Sequence, residues 1–437
     1  MELTLGQLTP GMTIRAYLGL DEKFGPLDAH KLEWVKHNFS GTKVLISRSG
    51  KERECSVNEL AETDLVLRVF GFPAALGHLV NVNDRLLSEL AKENFNRFMV
   101  LPAASKLDRV QKVAEANQLV EKAKAGAKVR NHAAVAIESL MDGLAQGKGD
   151  IKAVEKLVEQ IVENSYMDAM SALATLKQSD QTYGHCVDVG AIFAGTYQKI
   201  CERSGRISAF KNLQEALLAA LLHDVGKSSI SKEILESPEA FEKDSPQIRL
   251  LRSHPDKSRE LLEQMGLPKV AVEMGWMHHV KVDTAIFSSY PKNLAYEQVC
   301  YEAKLLAIID VFQALTGRRP YKKSWTAPAA MRYLDALVGV EFDEVAWEDF
   351  SRVLGLYPVG SLVQLSDQSQ AFVMNVPEGD LERPLVVLLT DASGNRLGQS
   401  KVLDLSLETS LKIAKELDPI EILGEDALEQ FLSLKAS

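Results

Sequence analysis

Five of the nine histidines in this chain fall between positions 185 and 279, and two aspartates accompany them in the same helical region. These residues are His185, His223, Asp224, His254, His278, His279 and Asp310. Imidazole and carboxylate side chains are the usual protein ligands of divalent transition metals. Seven such groups in one region therefore predict a metal centre.

The apolar surroundings of these residues favour a shared site over separate roles. His223 and Asp224 end the run NLQEALLAALLHDVGK, and Asp310 lies in YEAKLLAIIDVFQALTG, where its neighbours at helical spacing are apolar. A buried polar group without a partner costs about 1–3 kcal/mol, and a buried unpaired charge costs more. Each residue taken alone could be a hydrogen-bonded core residue, but two shared metal ions would satisfy all seven at once.

Other catalytic motifs are absent from the sequence. Gly226, Lys227 and Ser228 resemble the end of a phosphate-binding P-loop, but Leu221 stands where the first glycine belongs, and a helix precedes the segment. The sequence contains no His-Glu-x-x-His, no Gly-x-Ser-x-Gly and no dinucleotide-binding glycine pattern. The expected nucleophile is therefore water activated by metal and not a side chain.

The hydrophobic periodicity gives the chain strand-rich ends and a helical centre. Strand signals fill the first 70 residues, and helical period runs from Asn81 to about Leu354, with Gly126 and the GKG at 147–149 as helix breaks and one irregular stretch at 280–297. Period two returns near Tyr357 in YPVGSLVQLS, QAFVMNVP and RPLVVLLTDASGNRLG, before a last helix, EDALEQFLSLKA. The predicted fold is mainly α, an all-helical bundle with small β-rich domains at both ends.

The predicted domain boundaries follow these changes of period. They give a β-rich N-terminal domain at 1–75 in the position of a regulatory domain, a helical connector at 76–125, a metal-binding helical domain at 126–354 and a small β-rich domain at 355–437.

The composition is typical of a globular protein of the cytoplasm. Hydrophobic residues make up 46% and charged residues 25%, and 50 Lys plus Arg against 60 Asp plus Glu give a net charge of −10. This acidic balance disfavours DNA or RNA as a general partner. No apolar run approaches the ~18 residues of a membrane span. No secretory signal follows Met1, and the four cysteines form no Cys-x-x-Cys pair.

The order and spacing of the candidate ligands resemble the HD superfamily of metal-dependent phosphohydrolases, and more narrowly its HD-GYP branch, the bacterial cyclic di-GMP phosphodiesterases. The matching segments are His185, HDVGK at 223–227, RSHP around His254, HH at 278–279, and Asp310 followed by ALTGRRPYK. The resemblance covers 125–350 and implies an HD-type helical bundle that takes part in second-messenger signalling.

The resemblance also implies a role for each residue. One metal would be held by His185, His223, Asp224 and Asp310, and the second by His254, His278 and His279, with Asp224 bridging the two. Mixed imidazole and carboxylate ligands suit iron or manganese better than zinc. A hydroxide between the two ions, assisted by Asp224 and Lys227, would open cyclic di-GMP to linear pGpG. The substrate would be bound by Lys227, Tyr290, Arg319 and Lys322, although Arg319 and Lys322 can also be read as an ordinary basic helix end.

The chain departs from the family pattern in one loop. The family segment HHE-x-x-D-G-x-G-Y-P appears here as HHVKVDTAIFSSYP, so Val280 replaces a glutamate, Thr284 replaces a glycine, and only Ser-Tyr-Pro at 289–291 remains of the GYP. Gln181 stands four residues before His185, where family members with a third metal carry glutamate. We therefore expect two divalent ions.

These departures leave three functions open. The first is an active phosphodiesterase for cyclic di-GMP or a related nucleotide. The second is a catalytically weak or silent signalling receptor that binds metal and nucleotide. The third is a metal-free interaction scaffold, which is disfavoured because such scaffolds lose ligands and this chain keeps all seven. A signalling protein as a further partner is compatible with each of them.

Overall fold

The structure is a computed structural model. It describes residues 106–176, 182–237, 241–283, 289–292, 294–317, 324–376, 381–408 and 410–436, together with 2–3, 13–15, 29, 32, 36, 43–48, 51–69, 79–81 and 98–101. The chain divides into two compact units, one made of 1–110 and 377–381 and the other of 111–376 and 382–437.

The first unit contains two antiparallel sheets among its described residues. Their strands are β1 (Glu2–Leu3), β2 (Thr13–Arg15), β3 (Lys43–Arg48), β4 (Lys51–Ser56), β5 (Leu65–Val69), β6 (Leu79–Asn81) and β7 (Phe98–Leu101). One sheet has the strand order β1-β7-β2-β6, and the other has the order β4-β3-β5. Strands β3 and β4 form a hairpin in which Val44 pairs with Cys55, which agrees with the strand signals in this part of the sequence.

The helical period predicted from Asn81 onward is wrong at 98–101. Asn81 ends strand β6, and Phe98–Leu101 is strand β7, which pairs with both β1 and β2. The run FMVL is short and wholly apolar, and such a run has no period that distinguishes a buried strand from a buried helix. Pairing with strands distant in sequence decides its conformation.

The second unit is built mainly from α-helices. In chain order the helices after the first sheets are α1 (Lys106–Ala145), α2 (Lys152–Glu163), α3 (Met167–Thr175), α4 (Thr182–Ser204), α5 (Leu213–Leu221), α6 (Lys232–Leu235), α7 (Pro246–Leu251), α8 (His254–Gln264), α9 (Lys269–Met277), α10 (Tyr301–Thr316), α11 (Ala327–Asp335), α12 (Glu344–Leu354), α13 (Pro419–Leu423) and α14 (Ala427–Leu432). Short 3₁₀ turns lie at Val225–Ser229 and Tyr296–Gln298.

Gly126 lies inside α1, so the helix break predicted there is wrong. A Cβ atom at this position would lie 3.4 Å from Met170 Cγ, an ordinary contact distance, so Gly126 lies on the face of α1 that packs on α3. An isolated glycine within a helix is tolerated when packing compensates for its flexibility. The break predicted at 147–149 is confirmed, because α1 ends at Ala145.

The C-terminal strands form one antiparallel sheet. They are β8 (Leu362–Leu365), β9 (Gln370–Asn375), β10 (Leu385–Leu388), β11 (Val402–Asp404) and β12 (Ile413–Leu417), in the order β11-β10-β9-β8-β12. Phe372 of this sheet and Phe431 of α14 share an apolar cluster with Leu173 of α3. The three predicted C-terminal strands, the last helix and the mainly α fold with β-rich ends are confirmed. The domain boundaries stay predictions.

Helix α4 is the central element of the bundle. Phe193 and Tyr197 belong to an apolar cluster with α5 and α9–α12, whereas Val187 and Ala191 belong to a second cluster with α1, α2, α5 and α8. Packing on both sides holds α4, and with it His185, in one position. Among the described residues, no helix combines the length and the apolar character needed to cross a membrane.

Candidate metal centre

The candidate ligands lie within or directly beside helices that meet inside the bundle. They are His185 in the first turn of α4, His223 and Asp224 directly after α5, His254 at the start of α8, His278 and His279 directly after α9, and Asp310 in the middle of α10. Because these elements are distant in sequence, only the packing of the bundle brings the side chains together.

The ligand atoms fall into two groups. One group contains Asp224, His254, His278 and His279, and the other contains His185, His223 and Asp310. Within each group the nitrogen and oxygen atoms lie within 4.8 Å of one another. All of these residues except His279 are buried. Each group thus offers three or four imidazole and carboxylate ligands at a spacing that suits a transition metal ion.

Three of the histidines are oriented by backbone carbonyls in the last turn of a helix. His223 Nδ1 lies 2.7 Å from Ala220 O, His254 Nδ1 lies 2.6 Å from Leu251 O, and His278 Nδ1 lies 3.1 Å from Met274 O. A carbonyl oxygen can only accept a hydrogen bond, so each Nδ1 must be the protonated nitrogen. In the neutral ring, Nε2 then carries a lone pair.

These Nε2 atoms have no hydrogen-bond partner among the described residues. The same is true of Asp224 Oδ1, and all four atoms are buried. His254 Nε2 lies 2.9 Å from Asp224 Oδ1, so two groups that can both accept face each other. Such an arrangement is unfavourable without a cation between them, since buried polar atoms are nearly always paired. The residues present therefore fit metal ions.

Asp224 lies between the two groups. Its Oδ1 lies 2.9 Å from His254 Nε2 and 3.7 Å from His278 Nε2, whereas its Oδ2 lies 3.4 Å from His223 Nε2. Each carboxylate oxygen thus faces histidines of a different group. This is the arrangement that a bridging carboxylate needs.

Burial and neighbouring charges keep the ligands in the protonation states that bind metal. Burial, and then the nearby His223, lowers the pKa of His278 to about 3, and burial lowers the pKa of His279 well below its usual value. Burial alone would raise the pKa of the Asp224 carboxyl, but Lys227 and the neighbouring histidines outweigh it and hold that pKa well below its usual range. These directions favour neutral His278 and His279 rings and an ionised Asp224 carboxylate.

Lys227 is the cation next to the centre. Its ammonium pairs with Asp224 Oδ2, and its side chain remains 21% exposed. Burial alone would lower the pKa of this ammonium, but the carboxylates of Asp224 and Asp310 outweigh it and raise the pKa. Lys227 is therefore charged and borders the centre, as a phosphate-binding lysine must.

The turn that carries His223, Asp224 and Lys227 is fixed against helix α8. Gly226 N donates a hydrogen bond of 2.9 Å to Ser258 Oγ, and both residues are buried. A Cβ atom at Gly226 would lie 2.1 Å from His254 O and 2.4 Å from Ser258 N. Only glycine permits this close approach, which places the turn beside His254.

The segment after the histidine pair is anchored by apolar and ionic contacts. Val280 is buried in the same apolar cluster as α9 and α10, and the Lys281 ammonium forms a largely buried ion pair with Glu341. Tyr290 N donates to His279 O at 3.3 Å, and the two rings lie 4.5 Å apart. The tyrosine of the Ser-Tyr-Pro segment therefore packs on a candidate ligand.

Four positions named in the sequence analysis lie outside the described residues. They are Gln181, Thr284, Arg319 and Lys322. Conversely, no sequence motif indicated Arg130, Asp188 and Gln313, which are buried behind His185. Their spacing could have indicated Asp188 and Gln313. Asp188 follows His185 by three residues and Gln313 follows Asp310 by three, so each lies on the same helix face as a candidate ligand.

Comparison with known families matches two segments of the second unit. The model of the HD domain matches residues 156–345, which include all seven candidate ligands. The model of a KOW domain associated with the HD domain matches residues 362–425, which include strands β8 to β12.

Several curated proteins are similar to this chain. Cyclic di-GMP phosphodiesterase PA4108 of Pseudomonas aeruginosa is 31% identical over 292 residues, which are 66% of this chain and 68% of that protein. The cyclic di-GMP phosphodiesterase response regulator RpfG of Xanthomonas campestris is 38% identical over 128 residues, which are 29% of this chain and 32% of that protein. 3'3'-cGAMP-specific phosphodiesterase 3 of Vibrio cholerae is 26% identical over 140 residues, which are 32% of this chain and 29% of that protein.

A solved structure also matches. Bd1817, an HDG"Y"P protein from Bdellovibrio bacteriovorus, aligns with a TM-score of 0.40 and 14% identity, over 72% of this chain and 94% of that chain. The similarity to the Pseudomonas aeruginosa protein extends over about two-thirds of both sequences, and the HD-domain match spans every candidate ligand. The chain therefore belongs to the HD-GYP family of HD-domain phosphohydrolases.

Proposed function

We propose that this chain hydrolyses cyclic di-GMP to linear pGpG with two divalent metal ions, iron or manganese. The observation that carries the proposal is the set of buried, unpaired lone pairs on three histidines and Asp224, which face one another at short distances. The curated relatives act on cyclic di-GMP or 3'3'-cGAMP by name, which supports a cyclic dinucleotide as the substrate.

The proposed ligand sets follow the two groups of side chains. His185, His223 and Asp310 would hold one ion, and His254, His278 and His279 would hold the other, with Asp224 shared between them. When bound, the two ions would act as Lewis acids, which lower the pKa of water and neutralise charge on a phosphodiester. The mixture of imidazole and carboxylate supports iron or manganese as the metal.

The protein's own groups would bind and orient the substrate. The charged Lys227 ammonium would exchange its contact with Asp224 for a phosphate oxygen, and a charge-assisted hydrogen bond of this kind is about twice as strong as a neutral one. Tyr290, held on His279, offers an aromatic face to a guanine. Arg319 and Lys322 are proposed as further phosphate contacts.

The cytoplasmic location of the protein remains a prediction.

Metal content tests the proposed centre. Protein loaded anaerobically with iron or manganese should contain close to two ions per chain by elemental analysis. Asp224→Asn should lose both ions, because the shared carboxylate belongs to both sets. Asp426→Asn is a matched control, since Asp426 is exposed and its side chain makes no capping hydrogen bond. A wild-type content near zero after loading would overturn the proposal.

Product analysis tests the activity. The metal-loaded protein should convert cyclic di-GMP to linear pGpG, and Asp224→Asn should not. Parallel reactions with 3'3'-cGAMP identify which dinucleotide is preferred. Loaded protein that contains two ions but leaves both dinucleotides intact would refute hydrolysis.

The altered loop supports a second candidate function, a receptor that binds metal and nucleotide without useful turnover. Val280 stands where the family pattern has glutamate, and its side chain is only 3% exposed within an apolar cluster. It therefore supplies no polar atom to a substrate. Saturable binding of cyclic di-GMP by calorimetry, without product, would favour this function over the phosphodiesterase.

A further inference from the structure

A chain of four buried polar side chains leads from helix α1 to the metal centre. Arg130 donates two hydrogen bonds to Asp188, from Nε to Oδ1 at 2.6 Å and from Nη2 to Oδ2 at 2.7 Å. Gln313 Nε2 lies 3.3 Å from Asp188 Oδ2, and Gln313 Oε1 forms a short contact with His185 Nδ1. All four residues are at most 5% exposed.

The direction of each hydrogen bond in this chain is determined by its chemistry. An ionised aspartate paired with arginine can only accept, so the atom of Gln313 that faces Asp188 must be the amide nitrogen. The amide oxygen must then face His185. Since that oxygen is also only an acceptor, His185 Nδ1 must carry a proton.

Protonation of His185 at Nδ1 decides what its other ring nitrogen, Nε2, can bind. With Nδ1 committed to Gln313, Nε2 is the nitrogen that remains for a metal ion, and it lies 2.8 Å from Asp310 Oδ1, a ligand of the same group. His185 thus directs Nε2 toward the centre, as His223, His254 and His278 do. Those three are oriented by backbone carbonyls, whereas His185 lies in the first turn of α4 and is oriented by a side chain.

We propose that Gln313, held by Asp188 and Arg130, is a positioning residue that keeps His185 in the Nδ1-protonated form and thereby prepares it as a metal ligand. The part of this inference that concerns metal rests on the proposed function. Partners behind metal-bound histidines fix the ring tautomer, and their loss typically lowers metal affinity by about 10- to 100-fold.

The first experiment compares two variants of helix α10. Gln313→Met keeps the volume of the side chain but removes the acceptor. Thr316→Val is the matched control, because Thr316 is also buried and its hydroxyl donates only within the helix, to Phe312 O at 3.0 Å. Titration of metal-free protein with Mn²⁺ should show two sites in the wild type and in Thr316→Val. In Gln313→Met, one site should weaken by about 10- to 100-fold while the other is unchanged.

A second experiment reads the ring directly and needs no metal. Nitrogen-15 spectra of histidine-labelled, metal-free protein at pH 8 distinguish a protonated from an unprotonated Nδ1, and the His185 signals are those lost in His185→Gln. The wild type should show Nδ1 protonated. Gln313→Met should shift His185 toward the form protonated at Nε2, which can donate to Asp310.

The outcomes separate this inference from the proposed function. An unprotonated Nδ1 in the wild type would overturn the positioning role whether or not metal binds. Two sites of unchanged affinity in Gln313→Met would overturn it as well, while leaving the metal centre intact. A wild type that binds neither Mn²⁺ nor anaerobically added Fe²⁺ but shows the expected tautomer would overturn the proposed function and support only the fixed ring.

Discussion

Replacing Gly226 by alanine tests the close packing that places the HDVGK turn beside His254. The added methyl group would lie 2.1 Å from His254 O, 2.4 Å from Ser258 N and 2.8 Å from Ser258 Oγ. Two of these neighbours are backbone atoms of α8, so no flexible side chain can move aside. The turn and the helix would have to separate by roughly 1 Å to reach ordinary contact.

The expected cost has two parts. Overpacking in a well-packed interior costs about 1–3 kcal/mol. Separation would also break the hydrogen bond from Gly226 N to Ser258 Oγ, which contributes about 0.5–1.5 kcal/mol. The sum of about 1.5–4.5 kcal/mol should lower the midpoint of thermal unfolding by about 2 °C or more. Because the same separation moves His254 away from Asp224, metal affinity should fall as well.

Thermal unfolding and Mn²⁺ titration of the variant measure both effects. Gly398→Ala is the control, since a Cβ atom there meets nothing within 4 Å and the residue is exposed. The control should match the wild type in both assays. A Gly226→Ala protein with wild-type unfolding and metal affinity would refute the argument that this glycine is required by close approach.

Three further predictions follow from charged and buried groups. Lys227→Ala should keep both ions but lower kcat about 100-fold or more, because the variant lacks the positive charge that would stabilise the negative charge developing on the phosphate. Loss of metal by elemental analysis would contradict this role. Lys281→Met should lower the free energy of unfolding in urea by up to about 3–5 kcal/mol, because it leaves the largely buried Glu341 carboxylate unpaired. The double variant Lys281→Met with Glu341→Gln should cost less; equal costs would contradict the pairing. Burial raises the pKa of the Cys300 thiol to about 12 from an ordinary value of 9.0, so above pH 9 the unfolded chain releases a proton that the folded chain retains and the folded state loses stability. The difference in unfolding temperature between the wild type and Cys300→Ala should therefore decrease from pH 8 to 10.5, and a constant difference would show that this thiol ionises normally.

The residue types and their spacing were enough to predict the helical centre, the C-terminal strands and the group of seven candidate ligands. Hydrophobic period is a local property, so amphipathic segments such as α2, which buries Val154, Val158 and Ile161 on one face, can be recognised from sequence. Local signals failed where distant chain segments decide the outcome. Phe98–Leu101 became a strand because β1 and β2 pair with it, and Gly126 lies within α1 on the face that packs on α3.

The candidate ligands could therefore be named from the sequence, whereas the orientation of their side chains was decided by the tertiary structure. Nothing in the spacing of His185 and Gln313 indicates which amide atom faces the ring, since that depends on Asp188 of α4 and on Arg130 of α1, which holds Asp188. Likewise, the need for glycine at 226 arises from the backbone of α8 and not from the turn itself. Hydrogen-bond direction and close packing depend on groups brought together from distant parts of the chain, and only the folded structure brings them together.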